Sequence, residues 1–218
     1  MGGDLALSMH RGPQAVHTLP MTQGRKLLLL AVASAFALGA LAIAAGRVDA
    51  AWLLRDPNAH AHAHPLTGSL STLTVWLWVA SATVCLAAPA QAAHPSLLRS
   101  AGAISLYLAV DDAFQIHEDL AQRYLGLPEK AVLGLLALAI CVHLWSHRRA
   151  LSESTDRRCL LLSLAALAGS VAVDLLESWF WHLGPDGHML LEDSLKAAGA
   201  LFWLCFHLDL SRSRSQPG

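Results

Sequence analysis

Between Leu27 and Ala45 about 19 consecutive residues carry no charge. As a helix rising about 1.5 Å per residue, such a run covers the ~30 Å hydrocarbon core of a bilayer. Five further apolar segments follow, at about Leu70 to Ala90, Leu97 to Leu120, Ala131 to Trp145, Leu160 to Trp181 and Met189 to Leu208. The expected fold is therefore all-α: a polytopic transmembrane helix bundle of about six spans. Composition agrees, since 55% of the 218 residues are apolar and only 14% charged, with a mean hydropathy of +0.45, outside the range of ordinary soluble domains.

Basic residues set an orientation. Arg25 and Lys26 precede the first segment, Arg148, Arg149, Arg157 and Arg158 lie between the fourth and fifth, and Arg212 and Arg214 follow the sixth. The positive-inside rule then places both termini in the cytoplasm, an N-in/C-in pattern that closes only with an even number of spans. This predicts a cytoplasmic, disordered leader over residues 1–24, a single membrane domain over 25–210 and a cytoplasmic tail over 211–218, in a multi-pass protein of the bacterial inner (plasma) membrane. The first span follows its basic pair as a secretory signal would. It is longer than the usual signal core and is expected to be retained as an anchor.

A formal net charge of -1 offers no case for a nucleic-acid partner. Cys85, Cys141, Cys159 and Cys205 show no C-x-x-C or zinc-knuckle spacing and read as small apolar residues. The first outer loop carries His60, His62 and His64 in alternation. That tract suits metal collection or pH sensing, and equally the compositional drift of an Ala-rich loop.

Three polar clusters interrupt the apolar pattern. The first is Y-L-A-V-D-D-A-F-Q-I-H-E-D-L from Tyr107, with Asp111, Asp112, Gln115, His117, Glu118 and Asp119. The second supplies Asp174, Glu177 and His182, and the third Glu192, Asp193 and Lys196. An ionised side chain near the middle of a membrane helix costs on the order of 2.5–3.5 kcal/mol and ordinarily faces a protein interior or a watery cavity. The predicted topology brings all three clusters into the outer leaflet, where they would build one outward-facing site.

Within an unbroken helix Asp111 and Glu118 fall within roughly 20° of each other, while His117 points elsewhere and joins them only if the helix breaks. Seven carboxylates (Asp111, Asp112, Glu118, Asp174, Glu177, Glu192 and Asp193) cannot all be ionised side by side without counter-charge. Lys196 is read as an internal counter-ion. A divalent metal, zinc, manganese or iron, would answer the remaining need, with Asp111, Asp112, Glu118, Asp174, Glu177, His182, Glu192 and Asp193 as candidate ligands. Asp111, His117, Glu118 and Glu177 are the candidate catalytic residues. Neither H-E-x-x-H nor a pair of Glu-x-x-His motifs is present.

Three functions fit these residues. One is a metal-dependent hydrolase of a lipid-like substrate, the metal making a bound water nucleophilic. Another is a proton or cation conductor or sensor, for which the inner halves of the spans offer only His143, His207 and hydroxyls. The third is a non-catalytic subunit whose polar network fixes helix packing. The expected partners are the lipid bilayer, a lipid-like substrate and, under the third reading, other subunits of a membrane complex. The span from Ala131 to Trp145 is expected to be scaffold.

Overall fold

The computed structural model describes residues 33–34, 37, 40–41, 43–46, 58, 61–89, 92–153, 157–176 and 184–213. The chain divides into two compact units, residues 1–63 and 64–218. In the first, the described residues between Ala33 and Ala44 are helical, and the helix closes on Gly46 at φ 62°. Most of that predicted first span, and His60, lie outside the described residues.

The second unit is all-helical among the described residues. Its elements are α1 (Ser69–Leu86), α2 (Pro95–Phe114), a π-helical turn (Ile116–Leu120), α3 (Ala121–Leu125), α4 (Glu129–Ser146), α5 (Arg148–Glu153), α6 (Arg157–Leu175) and α7 (Gly184–Arg212). Local chemistry sets several boundaries. Pro95 opens α2, where its missing N–H costs no hydrogen bond. The left-handed Gly126 at φ 65° caps α3, and Pro128 in extended conformation leads into α4.

Three helices, α1, α4 and α6, are long and apolar enough to cross a membrane. At 20 and 29 residues α2 and α7 are longer still, but they carry the charges of the polar clusters. The outer face of α4 is bare: Leu135, Leu138 and Val142, one stripe at helical spacing, are 62%, 59% and 56% exposed. In water such a stripe would be an aggregation liability, whereas hydrocarbon tails solvate it.

The most extensive packing runs along α7, which lies against α6 and α1, and α1 in turn lies against α2. Small residues permit the close approaches. A Cβ on Gly102 would sit 2.7 Å from Leu86 Cγ, and one on Gly199 would sit 2.6 Å from Leu167 Cγ and 3.2 Å from the Leu167 backbone nitrogen. Ser163 on α6 ties the second contact by donating its hydroxyl to the Gly199 carbonyl at 2.8 Å. The apolar core, with Trp78, Cys85, Leu97, Leu98, Trp203, Phe206 and Leu210, fills the half of the bundle nearer the α1–α2 turn.

A candidate site around Asp111 and His117

The helix does break where His117 requires it to. Helix α2 ends at Phe114, and Gln115 takes a left-handed conformation at φ 50° and ψ 47°. From there the chain enters the π turn, with Leu120 N–H donating to the Gln115 carbonyl at 3.1 Å. A non-glycine residue pays roughly 1–2 kcal/mol for that backbone, and π turns recur at functional sites. The reversal redirects His117 back onto α2.

Asp111, buried to 1% exposure, uses both carboxylate oxygens on this one residue. Oδ1 accepts the His117 backbone N–H at 3.1 Å, and Oδ2 lies 2.6 Å from His117 Nδ1. A carboxylate can only accept, so Nδ1 carries the proton and the Nε2 lone pair is left for other use. Nε2 stands 3.5 Å from Glu118 Oε1, while Gln115 Nε2 donates to Glu118 Oε2 at 3.3 Å. The break replaces the single face expected for Asp111 and Glu118 with a different meeting: both now flank His117.

Asp112, the next residue, turns toward α1 and accepts from Trp78 Nε1 at 3.2 Å. Lys196 Nζ lies 3.7 Å from Glu192 Oε1 and within electrostatic reach of Asp112, Glu118 and Asp193. Beside Asp112, Glu192 and Lys196 lies a cavity of about 100 Å³, room for a few water molecules. Asp111, Asp112, His117, Asp174, Glu192, Lys196 and Ser170 supply its polar wall; Trp78 and leucines of α2, α4 and α6 supply the apolar one.

Of the predicted site residues, Asp111, Asp112, His117, Asp174 and Glu192 thus meet around one cavity. Glu118 is exposed beside His117, and Asp193 is half-buried on α7 without lining the cavity. Glu177 and His182 lie outside the described residues. Among the described residues no three His, Cys, Asp or Glu side chains converge so as to hold a metal ion. His64, of the histidine-rich segment, is exposed and its Nδ1 accepts the Leu66 N–H at 3.2 Å.

A second cluster was not anticipated. On helix α4, expected to be scaffold, His143 and His147 both turn onto Ser100 of α2, with Nδ1 of His143 3.0 Å and Nε2 of His147 3.1 Å from its Oγ. The signal was there in the H-L-W-S-H spacing, since residues i and i+4 share a helix face. Its partners, Ser100 and Trp203, have no sequence signature.

No curated protein and no solved structure matches the chain. Residues 18–210 match the family described as Domain of unknown function (DUF8692), and the chain belongs to that family.

Proposed function

We propose that this is a multi-pass membrane enzyme, a hydrolase of a lipid-like substrate, in which His117 draws a proton from water held in the cavity. The observation that carries this reading is the Asp111–His117 pair. Asp111 fixes the tautomer and the ring through Nδ1, which leaves Nε2 as the base; the same division of labour orients histidine bases in hydrolytic sites generally. Lys196 is the cation available to a developing oxyanion, and the exposed apolar stripe on α4 keeps the protein in contact with lipid. The six-span, N-in/C-in topology, with the cavity toward the outer leaflet of a bacterial inner membrane, completes the proposal. It is supported by three membrane-length helices, by the lipid-compatible face of α4 and by the basic residues between α4 and α6.

A divalent metal, zinc, manganese or iron, enters as a second reading. It is favoured by the adjacency of His117 Nε2 and Glu118 Oε1 at 3.5 Å, because a histidine held at Nδ1 by a carboxylate is a common metal-ligand arrangement. Two donors are too few for a site, and Glu177 or His182 would have to complete it.

The test is hydrolysis by the full chain in nanodiscs offered a panel of ester and phosphoester lipids, with products read by mass spectrometry. Product formation that falls at least ~100-fold in His117→Ala and Asp111→Asn is expected. No product from any lipid class, or product unaffected by His117→Ala, would overturn the reading. Elemental analysis of tag-free protein decides between the metal and metal-free forms, and alkaline phosphatase fusions to the termini and to the α4–α6 loop test the orientation.

A further inference from the structure

The exposed stripe on α4 continues beyond its aliphatic residues. Leu135, Leu138 and Val142 are followed on the same side by Trp145, 71% exposed, and at about 100° per residue the four fall within an arc of roughly 80°. From Leu135 to Trp145 the helix rises about 15 Å, the depth of one leaflet's hydrocarbon in a core of ~30 Å. A tryptophan at that depth sits at the boundary between hydrocarbon and headgroups, where membrane proteins concentrate the residue. On another side of the same helix end His143 and His147 are bonded to Ser100 at 3.0 and 3.1 Å. That attachment fixes the rotation of α4 and keeps the stripe turned away from the bundle.

Arg148 stands at the headgroup end of this stripe. Its guanidinium carbon lies 4.7 Å from the centroid of the Trp145 ring, and Nη1 donates to the Trp145 carbonyl at 3.1 Å. The bond answers one of the carbonyls that α4 leaves open at its C-terminal end. The guanidinium is thus held through its flat face and through one edge, and its remaining N–H groups find no acceptor among the described residues. A fork held in this way is pre-oriented for two oxygens of a phosphate. Arg149 is exposed beside it. The connector as a whole sets Arg148, Arg149, Arg157 and Arg158 against Glu153 and Asp156, so its charge favours an anion.

We propose that the lipid-facing stripe of α4 is a binding site for one anionic phospholipid, with an acyl chain along Leu135, Leu138 and Val142, the glycerol at the level of Trp145 and the phosphate on Arg148. Each part of the lipid meets the part of the helix that suits it: the chain needs no hydrogen bonds, and the phosphate oxygens accept from the guanidinium fork. A second copy of the chain is a poorer occupant. Two copies in the same orientation in the bilayer, meeting through this stripe about a two-fold axis, would set Arg148 and Arg149 against the same residues of the other copy, and like charges so placed repel. The site rests on the proposed membrane placement and not on hydrolysis at His117. Helix α4 lines that cavity with other residues, Leu133, Leu136 and Ile140.

The experiment is native mass spectrometry of the full chain released from nanodiscs of phosphatidylcholine that contain phosphatidylglycerol with the same acyl chains, the retained lipid being identified by its mass. One phosphatidylglycerol per chain is expected, enriched at least about fivefold over its share of the disc. Arg148→Gln should lower the enrichment about fivefold, the equivalent of the ~1 kcal/mol that one basic side chain contributes near an anionic surface. Trp145→Leu keeps the apolar surface but removes the ring under the guanidinium, and should lower it about two- to fivefold. Arg212→Gln, at the exposed end of α7, removes the same charge away from the stripe and should leave the enrichment unchanged. Equal retention of the two lipids by the wild type, or equal losses in Arg148→Gln and Arg212→Gln, would overturn the site. So would a dimer in the spectrum that Leu138→Arg abolishes, because a second copy would then cover the stripe. Protein stripped from its host membranes by alkaline carbonate would overturn the membrane placement along with the site, whereas the lipid and dimer outcomes bear on the site alone.

Discussion

Asp111 and His117 are six residues apart, yet their side chains meet at 2.6 Å because the helix between them ends at Phe114 and turns left-handed at Gln115. On a continuous helix they would stand about 120° apart around the axis. The break is thus what makes the pair, and the pair is what gives His117 a fixed tautomer.

Asp111→Ala removes the acceptor for both the His117 backbone N–H and its Nδ1–H in a buried site. We expect a loss of stability of about 1–3 kcal/mol, read as a lowered thermal midpoint in detergent. Asp111→Asn keeps the volume and should unfold nearer to wild type while activity falls by roughly 10²–10⁴. Equal loss of stability in both variants would show that the charge itself is needed for folding.

Gln115 holds φ 50° without being glycine. Gln115→Gly relieves up to about 1 kcal/mol of backbone strain, offset in part by the loss of the exposed Gln115–Glu118 hydrogen bond. Gln115→Val, β-branched and worse in the left-handed region, should lower the thermal midpoint by several degrees. Matching midpoints for the two would mean that the turn is not as described.

Gly199 and Gly134 are both helical, but only one meets a neighbour. A Cβ at Gly199 would press on Leu167, including its backbone nitrogen, whereas nothing lies within 4 Å of one at Gly134. Gly199→Ala should therefore destabilise by about 1–3 kcal/mol through overpacking. Gly134→Ala should be neutral or stabilise by up to about 1 kcal/mol through helix propensity. Chemical denaturation of the two variants side by side is the measurement.

Lys196 and Glu192 are each 22% exposed and 3.7 Å apart. Lys196→Met leaves Glu192 and the nearby Asp112 without their cation, and should cost more than Glu192→Gln does. In a double-mutant cycle the double variant should recover roughly 0.5–2 kcal/mol relative to the sum of the single losses. Simple additivity would remove Lys196 from the role of counter-ion.

Much of the helical content was legible because apolar runs of membrane length have one dominant outcome. The segments read at about Leu70 to Ala90 and Ala131 to Trp145 correspond to Ser69–Leu86 and Glu129–Ser146. The convergence of Asp111, Asp112, Asp174 and Glu192 was readable too, since charges in such segments seek one another. The Leu97 to Leu120 segment went differently: its apolar pattern gives no hint of a left-handed residue at Gln115, a conformation that glycine or asparagine would have announced. The Ser100–His143–His147 cluster was half readable, in the i, i+4 histidines, and half hidden, in a serine from another helix.

By itself the chain determined that it would be helical, that long stretches suit hydrocarbon, and that its charged residues had to find each other, because burying backbone or charge without partners costs more than the sequence can repay. Only the tertiary structure decided which nitrogen of His117 is held, that Lys196, paired with Glu192, lines the same cavity as Asp112, and that Ser100 bridges two histidines. Those relations depend on close approach at Gly102 and Gly199 and on one backbone reversal, and a distance of an ångström or two between helices leaves no mark on local sequence pattern.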